Sequence, residues 1–365
     1  MVREAILPIS SRHVTGLQED SPDQQPGSGH GDQLSSTRHQ TPQVGRVLDF
    51  WEIRHETLNI SQRAQQLVEA SWRGSTELRY GGAWRQWLEW CNKCNIRATE
   101  PALSDVLDYL AYLYDKGAQN RTVNLHRSAL SSTIEPIERF CVGQHPLVCR
   151  LLKGIFNLRP PKTKLCPTWS VKSVLETLKS WSPANSLDLK CLTFKTVMLV
   201  ALASAKRPSS LTLLSLKEGF CEIGESSVRF QPVGLEKTEG PSHCAPPLVL
   251  NRFTDDPRLC PAHYVKAYIR KTEGCRSSDR LFVSLLAPHG AVATSTISRW
   301  LERIISMTGA SGSGGSTRSA ATSRAASRGA SLAAVLTAGD WARASTFRKF
   351  YFKPNELSFE SHVLQ

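Results

Sequence analysis

The sequence predicts a mainly α-helical protein with one small antiparallel β-sheet, an α+β chain in two folded parts. Three observations carry this. From residue 68 onward, apolar residues recur at i, i+3, i+4 and i+7, the spacing of one helical face. Residues 215–250 break that period, with alternating and β-branched pieces between Gly and Pro turns that read as a three-stranded meander. The run LRPPKTK at 158–164 puts two prolines in a basic, apolar-poor stretch, which makes a linker.

Residues 1–65 carry stretches such as SPDQQPGSGHGDQLSSTRHQTPQ, too poor in apolar groups to order themselves, and are expected to be a disordered polar tail with a short helix near 47–51. Residues 66–158 are expected to form a helical domain. Trp84, Trp87, Leu88 and Cys91 share one face. Ser104 is a candidate cap for the next helix, with Val106, Leu110 and Leu113 inward and Gly117 at its end. Asn120 is a candidate cap for a third, carrying Val123, His126 and Leu130. Pro146 suits the first turn of a fourth, with Val148, Leu151, Leu152 and Ile155 inward.

The linker is taken as 159–168 and the second domain as 169–365. Val174, Leu175 and Leu178 mark one helix there, and residues 189–203 a longer, buried one. After the meander, Pro261 opens a helix with Tyr264, Val265 and Tyr268 on a face. Ile297, Trp300, Leu301 and Ile304 define another, capped at Thr294 or Ser295. From 316 the chain is helical with basic punctuation.

Composition narrows the function. The chain has 365 residues and a net charge of +13, and its 40% hydrophobic content, with 9 Trp and 12 Phe, excludes wholesale disorder. The longest apolar stretch, residues 197–203, is far short of the roughly 20 residues that span a bilayer. The first residues hold no signal-peptide apolar region, so the ten cysteines are expected to be reduced thiols in the cytosol or nucleus. Residues 1–60 sum to −3, from five Arg and eight Asp or Glu, so the rest of the chain carries +16. That excess points to a polyanionic partner. Arg79, Arg85, Lys93, Arg97, Arg121, Arg127, Arg150 and Lys153 recur on presumed outer faces of the first domain, a pattern that a merely solvated surface also gives.

Four places hold candidate chemistry. SAKRPSSL (204–211) puts Arg207 between a buried helix and a new one, where an arginine fork and free N–H groups suit an anion. GLEKTEG (234–240) puts Lys237 in a hairpin turn. STRSAATSRAA (316–326) puts Arg318 at a helix start. GDWARASTFRKFY (339–351) sets Trp341 ten residues before Tyr351. Singly, each also fits a structural role: a salt bridge for either arginine, a solvated lysine, a core aromatic. The CNKC pair at 91–94 lacks a second pair at zinc spacing, and Cys91 lies on the apolar face, so it reads as core.

Order and spacing distinguish these roles. From about residue 68 the chain resembles the tyrosine recombinases of the phage-integrase superfamily, most of all those of eukaryotic DIRS-type and related mobile elements. SAKRPSSL, LEKT, DPRLCPAHYVKAYI (256–269), TSTISRWLERIISMTG (294–309), STRSAATSRAA and WARASTFRKFY carry the resemblance. It implies a helical core-binding domain followed by a tyrosine recombinase catalytic domain. It implies Tyr351 as the nucleophile forming a 3′-phosphotyrosyl link, Arg207 and Arg318 as the phosphate clamp, Lys237 as general acid and Trp341 as a phosphate support. It also implies double-stranded DNA as partner, contacted by residues such as Arg79, Arg85, Arg121, Arg127, Lys153 and Arg348, with a tetramer assembled on DNA through the segment after Tyr351. A nuclear site of action, no metal or other cofactor, no membrane and no small-molecule substrate follow from the same resemblance. One position departs from the family: its His-x-x-Arg box reads Gly315-Ser316-Thr317-Arg318, inside the run GASGSGGS. This leaves a second expectation, a DNA-binding derivative with weakened or lost chemistry. A third, a type IB topoisomerase, shares the nucleophile.

Overall fold

The computed structural model describes residues 60–161 and 169–353. The chain divides into two compact units, residues 1–162 and 163–365. Among the described residues no helix is long and apolar enough to cross a membrane.

Among its described residues the first unit has the α-helices α1 (Gln62–Glu69), α2 (Gly74–Cys94), α3 (Leu103–Asp115), α4 (Asn120–Thr133) and α5 (Pro146–Leu158). Helix α1 starts inside the stretch expected to be tail through residue 65, because the Ser61 hydroxyl accepts the Ala64 N–H and gives a helix its start. The expected helix near 47–51 lies outside the described residues. Trp84, Trp87 and Cys91 of α2 bury against Val106, Tyr109 and Leu110 of α3 and Val123 and Leu130 of α4. Burial pushes the Cys91 thiol up to about 12, so it behaves as a small apolar side chain. The buried Tyr109 hydroxyl and His126 Nδ1 lie 2.8 Å apart, and desolvation draws His126 down to about 4.

Two caps differ from expectation. Ala102, not Ser104, precedes α3, and its N–H is taken by Asp105 at 2.8 Å, which already satisfies the helix start. Gln119 precedes α4, and Asn120 donates instead to the Leu152 carbonyl on α5 at 3.3 Å. Pro146 does open α5, with His145 Nδ1 accepting the Leu147 N–H.

The second unit runs α6 (Val171–Ser180), α7 (Leu189–Ser204), α8 (Pro208–Leu211), β1 (Cys221–Ile223), β2 (Ser227–Phe230), β3 (Leu248–Asn251), α9 (Pro261–Thr272), α10 (Thr294–Met307), α11 (Ser316–Ser327), α12 (Leu332–Gly339) and α13 (Ala344–Phe350). Helix α7 has apolar residues around its whole circumference and is buried from Leu192 to Ala201, so it becomes the central helix, with α9, α10 and α11 packed around it. The strands form an antiparallel sheet in the order β1-β2-β3. Val228 pairs with Leu250 and Phe230 with Leu248, and all four turn to the core while Arg229 and Val249 face out. Ala293, not Thr294 or Ser295, is the cap of α10. Lys195 is fully buried on α7. It donates to the Leu178 and Trp181 carbonyls at the end of α6 and lies 4.1 Å from the Tyr264 ring, and burial lowers it to about 8.

Candidate active site

The end of α7 sets the first arginine. The helix stops at Ala205, which sits in the left-handed region at φ 51°, and Pro208 then starts α8. Arg207 is the residue between, half-buried. Its neighbour Lys206 is buried and pairs with Glu236 at 2.8 Å; Ser210 donates to the other Glu236 oxygen at 2.7 Å. A buried carboxylate needs such partners, and these two tie the Arg207 segment to the loop that carries Lys237. Lys237 itself is exposed. It lies not in a tight hairpin turn but in the 17-residue connection from β2 to β3, residues 231–247.

Helix α11 brings the second arginine. Gly314 lets the preceding loop lie against α10, since a Cβ there would meet the Ser298 carbonyl oxygen at 2.5 Å. Arg318, in the first turn of α11, is only 2% exposed. Its Nη1 donates to the Ala205 carbonyl at 3.0 Å and its Nη2 to the Gly339 carbonyl, while its Nε has no partner among the described residues. The guanidinium lies over two rings, 4.3 Å from Trp341 and 5.3 Å from Tyr351. Burial, then the neighbouring Arg207 charge, lowers Arg318 to about 10, so it stays charged at neutral pH.

The last two helices set the tyrosine. Trp341 folds back over Gly339, where a Cβ would stand 2.2 Å from the indole. Tyr351 ends α13, with its ring 4.5 Å from that of Trp341, and its carbonyl accepts the Ser323 hydroxyl from α11 at 3.0 Å. Phe347 closes the cluster from below, 5.3 Å from Trp341.

These elements line an open concavity of about 370 Å³ formed by Arg207, Pro208, Ser209, Lys237, Thr294, Ser298, Gly315, Arg318 and Tyr351. Four of the five residues singled out from sequence line it, together with Gly315. The fifth, Trp341, does not; it packs behind Arg318 and Tyr351, buried, with an indole N–H that has no partner among the described residues. Three cations and a phenol meet in one concavity, and no carboxylate is among its lining residues. Such a wall fits an anion with several oxygens: the planar fork of Arg207 suits a phosphate, and Arg318 adds a fixed positive charge. Among the described residues no cluster of His, Cys, Asp or Glu could hold a metal ion.

The cations expected to meet DNA differ in exposure. Arg79, Arg85, Arg121, Lys153 and Arg348 are exposed. Arg127 is half-buried and donates to the Gly143 carbonyl at 2.9 Å, so it braces the first unit instead of presenting a free charge. Residues 354–365, expected to mediate assembly, lie outside the described residues.

Three functional neighbours were not foreseen. Glu236, immediately before Lys237, was legible only as part of LEKT. Asp340, immediately before Trp341, takes the Thr238 hydroxyl on one oxygen and His243 Nε2 on the other at 2.8 Å. Burial raises the Asp340 pKa, but these hydrogen bonds outweigh it and hold the group below the usual carboxylate range. His243 thus brings an imidazole to the back of the site. His289, the nearest histidine to Gly315 in sequence, is instead tied to the Ser284 carbonyl.

No family model matches the chain, and no curated protein does. Solved structures do. A complex of the Tn1549 transposon integrase with circular intermediate DNA is 11% identical, covers 87% of this chain and 98% of that one, and gives a TM-score of 0.53. A complex of the same integrase with transposon right-end DNA is 12% identical at the same coverage, TM-score 0.52. A lambda integrase dimer bound to a core site is 12% identical over 85% of this chain and 98% of that one, TM-score 0.48. The integrase likeness establishes the fold as the mainly helical, small-sheet fold of the tyrosine recombinases.

Proposed function

We propose that this protein is a site-specific DNA recombinase that breaks and rejoins strands through a 3′-phosphotyrosyl intermediate, in the service of a mobile element. The observation that carries the reading is the concavity itself, in which Arg207, Lys237 and Arg318 surround Tyr351 with no acid on the wall.

The chemistry follows from those groups. A DNA phosphodiester resists attack because its charge repels nucleophiles and its leaving group is an alkoxide. Arg207 and Arg318 neutralise the non-bridging oxygens as charge builds on them. Tyr351 Oη attacks phosphorus, the P–O5′ bond breaks, and Lys237 supplies the proton that the 5′-oxygen needs. The phenolic proton passes to water, since Gly315 offers no imidazole. The link conserves the phosphodiester's energy, so a 5′-hydroxyl from another strand can reverse the step. Trp341 acts as a platform under the Arg318 guanidinium and a wall against the tilted Tyr351 ring. Exposed cations of both units bind duplex DNA, and the working form is a tetramer on two duplexes in the nucleus.

The test is adduct trapping. The protein is incubated with a library of randomised duplexes, nicked so that the cleaved end diffuses away, and resolved on a denaturing gel. A DNA-shifted protein band that disappears in Tyr351→Phe is expected. Salt-sensitive binding with no adduct would support the second reading, a DNA-binding derivative, which the glycine at position 315 favours.

A further inference from the structure

Lys237 poses a positioning problem. A general acid must stand within hydrogen-bond reach of the oxygen it protonates. Yet Lys237 is exposed and sits in a 17-residue connection between neighbouring strands, where a chain with so few ladder bonds is ordinarily mobile. The residues on either side of it answer the problem. Glu236 pins one side to Lys206 and Ser210, which flank Arg207. Thr238 pins the other side to Asp340. His243, further along the same loop, adds a second bond to the same carboxylate.

Asp340 is placed to pass on that hold. It lies between Gly339, whose carbonyl takes Arg318, and Trp341, whose ring lies under the Arg318 guanidinium and against the tilted Tyr351 ring. Its left-handed backbone, φ 49°, turns the chain at the end of α12. The carboxylate is 9% exposed with both oxygens in use, far from the usual setting of an aspartate. We infer that Asp340, gripping Thr238 and His243, is a positioning residue that sets Lys237 in register with Arg318 and Tyr351. The inference rests on the recombinase reading and adds the group that aims its general acid.

Leaving-group chemistry isolates this role. An oxygen leaving group needs the proton from Lys237, whereas a thiolate, with a thiol pKa of about 8.5, departs without one. A duplex recovered from the trapped adducts is therefore made in two forms, with the ordinary 5′-bridging oxygen and with a 5′-bridging sulfur. In the second, attack by Tyr351 Oη breaks the P–S bond and releases the strand as a thiolate.

Asp340→Asn and His243→Ala are expected to slow cleavage of the oxygen substrate by roughly 10²-fold, the lower range of general-acid help, and to cleave the sulfur substrate at close to the parent rate. His243→Gln, which keeps a donor for Asp340, is expected to restore much of the oxygen rate. His243 is half-exposed, so its replacement leaves the fold intact and guards against a trivial loss. Equal slowing on both substrates, or no slowing on oxygen, overturns the positioning role while the parent's adduct still upholds the recombinase. A parent chain that forms no adduct with any duplex overturns both.

Discussion

Arg318 and Tyr351 show how far one residue depends on its surroundings. Each guanidinium Nη donates once to a backbone carbonyl, and the Nε N–H is a buried donor with no partner among the described residues. A lysine at 318 keeps the charge but cannot hold two carbonyls in one plane and still present a third donor. Arg318→Lys is expected to lower single-turnover cleavage by at least about 10²-fold, as losing one fixed charge-stabilising donor does, with duplex binding retained. Gly315 gives a prediction of opposite sign. A Cβ there meets only the Ser313 hydroxyl, at 3.9 Å, and its backbone is ordinary right-handed helix. Gly315→His is therefore expected to fold as the parent and to raise the cleavage rate by about 10²-fold or more, the worth of a placed acid–base group. An unchanged rate would show that the chemistry does not need an imidazole at that point.

At the scale of elements, periodicity was the readable signal and pairing across the chain was not. Ile297, Trp300, Leu301 and Ile304 lie on one face of α10, and all are buried, because a 3.6-residue period leaves no other way to cover them. In β2, Val228 and Phe230 alternate with the outward Arg229, within the stretch 215–250 expected to hold three strands. Caps were less legible, since a residue such as Ala102 or Ala293 becomes the cap through its extended backbone and needs no hydroxyl. The candidate order Arg207, Lys237, Arg318, Tyr351 could be read because each residue sits in a short motif. The supports could not, because Thr238 and His243 meet Asp340 across 102 and 97 residues, and no local pattern encodes that meeting. Two predictions belong to this scale. Gly339→Ala would drive a Cβ into the Trp341 ring, and is expected to lower stability by about 1–3 kcal/mol in denaturant melts of the intact chain. His126, held neutral between α3 and α4, binds its proton more readily unfolded than folded. Its contribution is present in full above about pH 6.5 and is lost as pH falls toward 4, by up to about 3 kcal/mol. Melts from pH 7 to pH 5 are expected to show a smaller loss in His126→Asn than in the parent.

For the whole molecule, charge is the dominant fact. The chain carries +13 in total, with the acidic excess confined to residues 1–60. Exposed Arg79, Arg85, Arg121 and Lys153 in the first unit and Arg348 in the second suit phosphate contacts that fix a duplex without reading its sequence. Duplex affinity is expected to fall steeply with salt, losing roughly 10³–10⁵ between about 50 and 200 mM if six to ten phosphates are met. Replacing Arg79 and Arg85 with alanine should flatten that slope by about two contacts, whereas Arg127→Ala should act on stability, because that side chain is turned to Gly143. The composition points to a polyanionic partner, and the two-proline run at 158–164 points to a two-part build. Which cations are free and which are braces depends on packing, and only the fold decides it.

The most direct measurement is to locate the covalent bond. The trapped protein–DNA adduct is digested with protease and nuclease, and the modified peptide is identified by mass spectrometry. A single nucleotide joined through a 3′-phosphate to Tyr351, and absent from the Tyr351→Phe chain, is the result predicted here. An adduct on any other side chain, or through a 5′-phosphate, would contradict it.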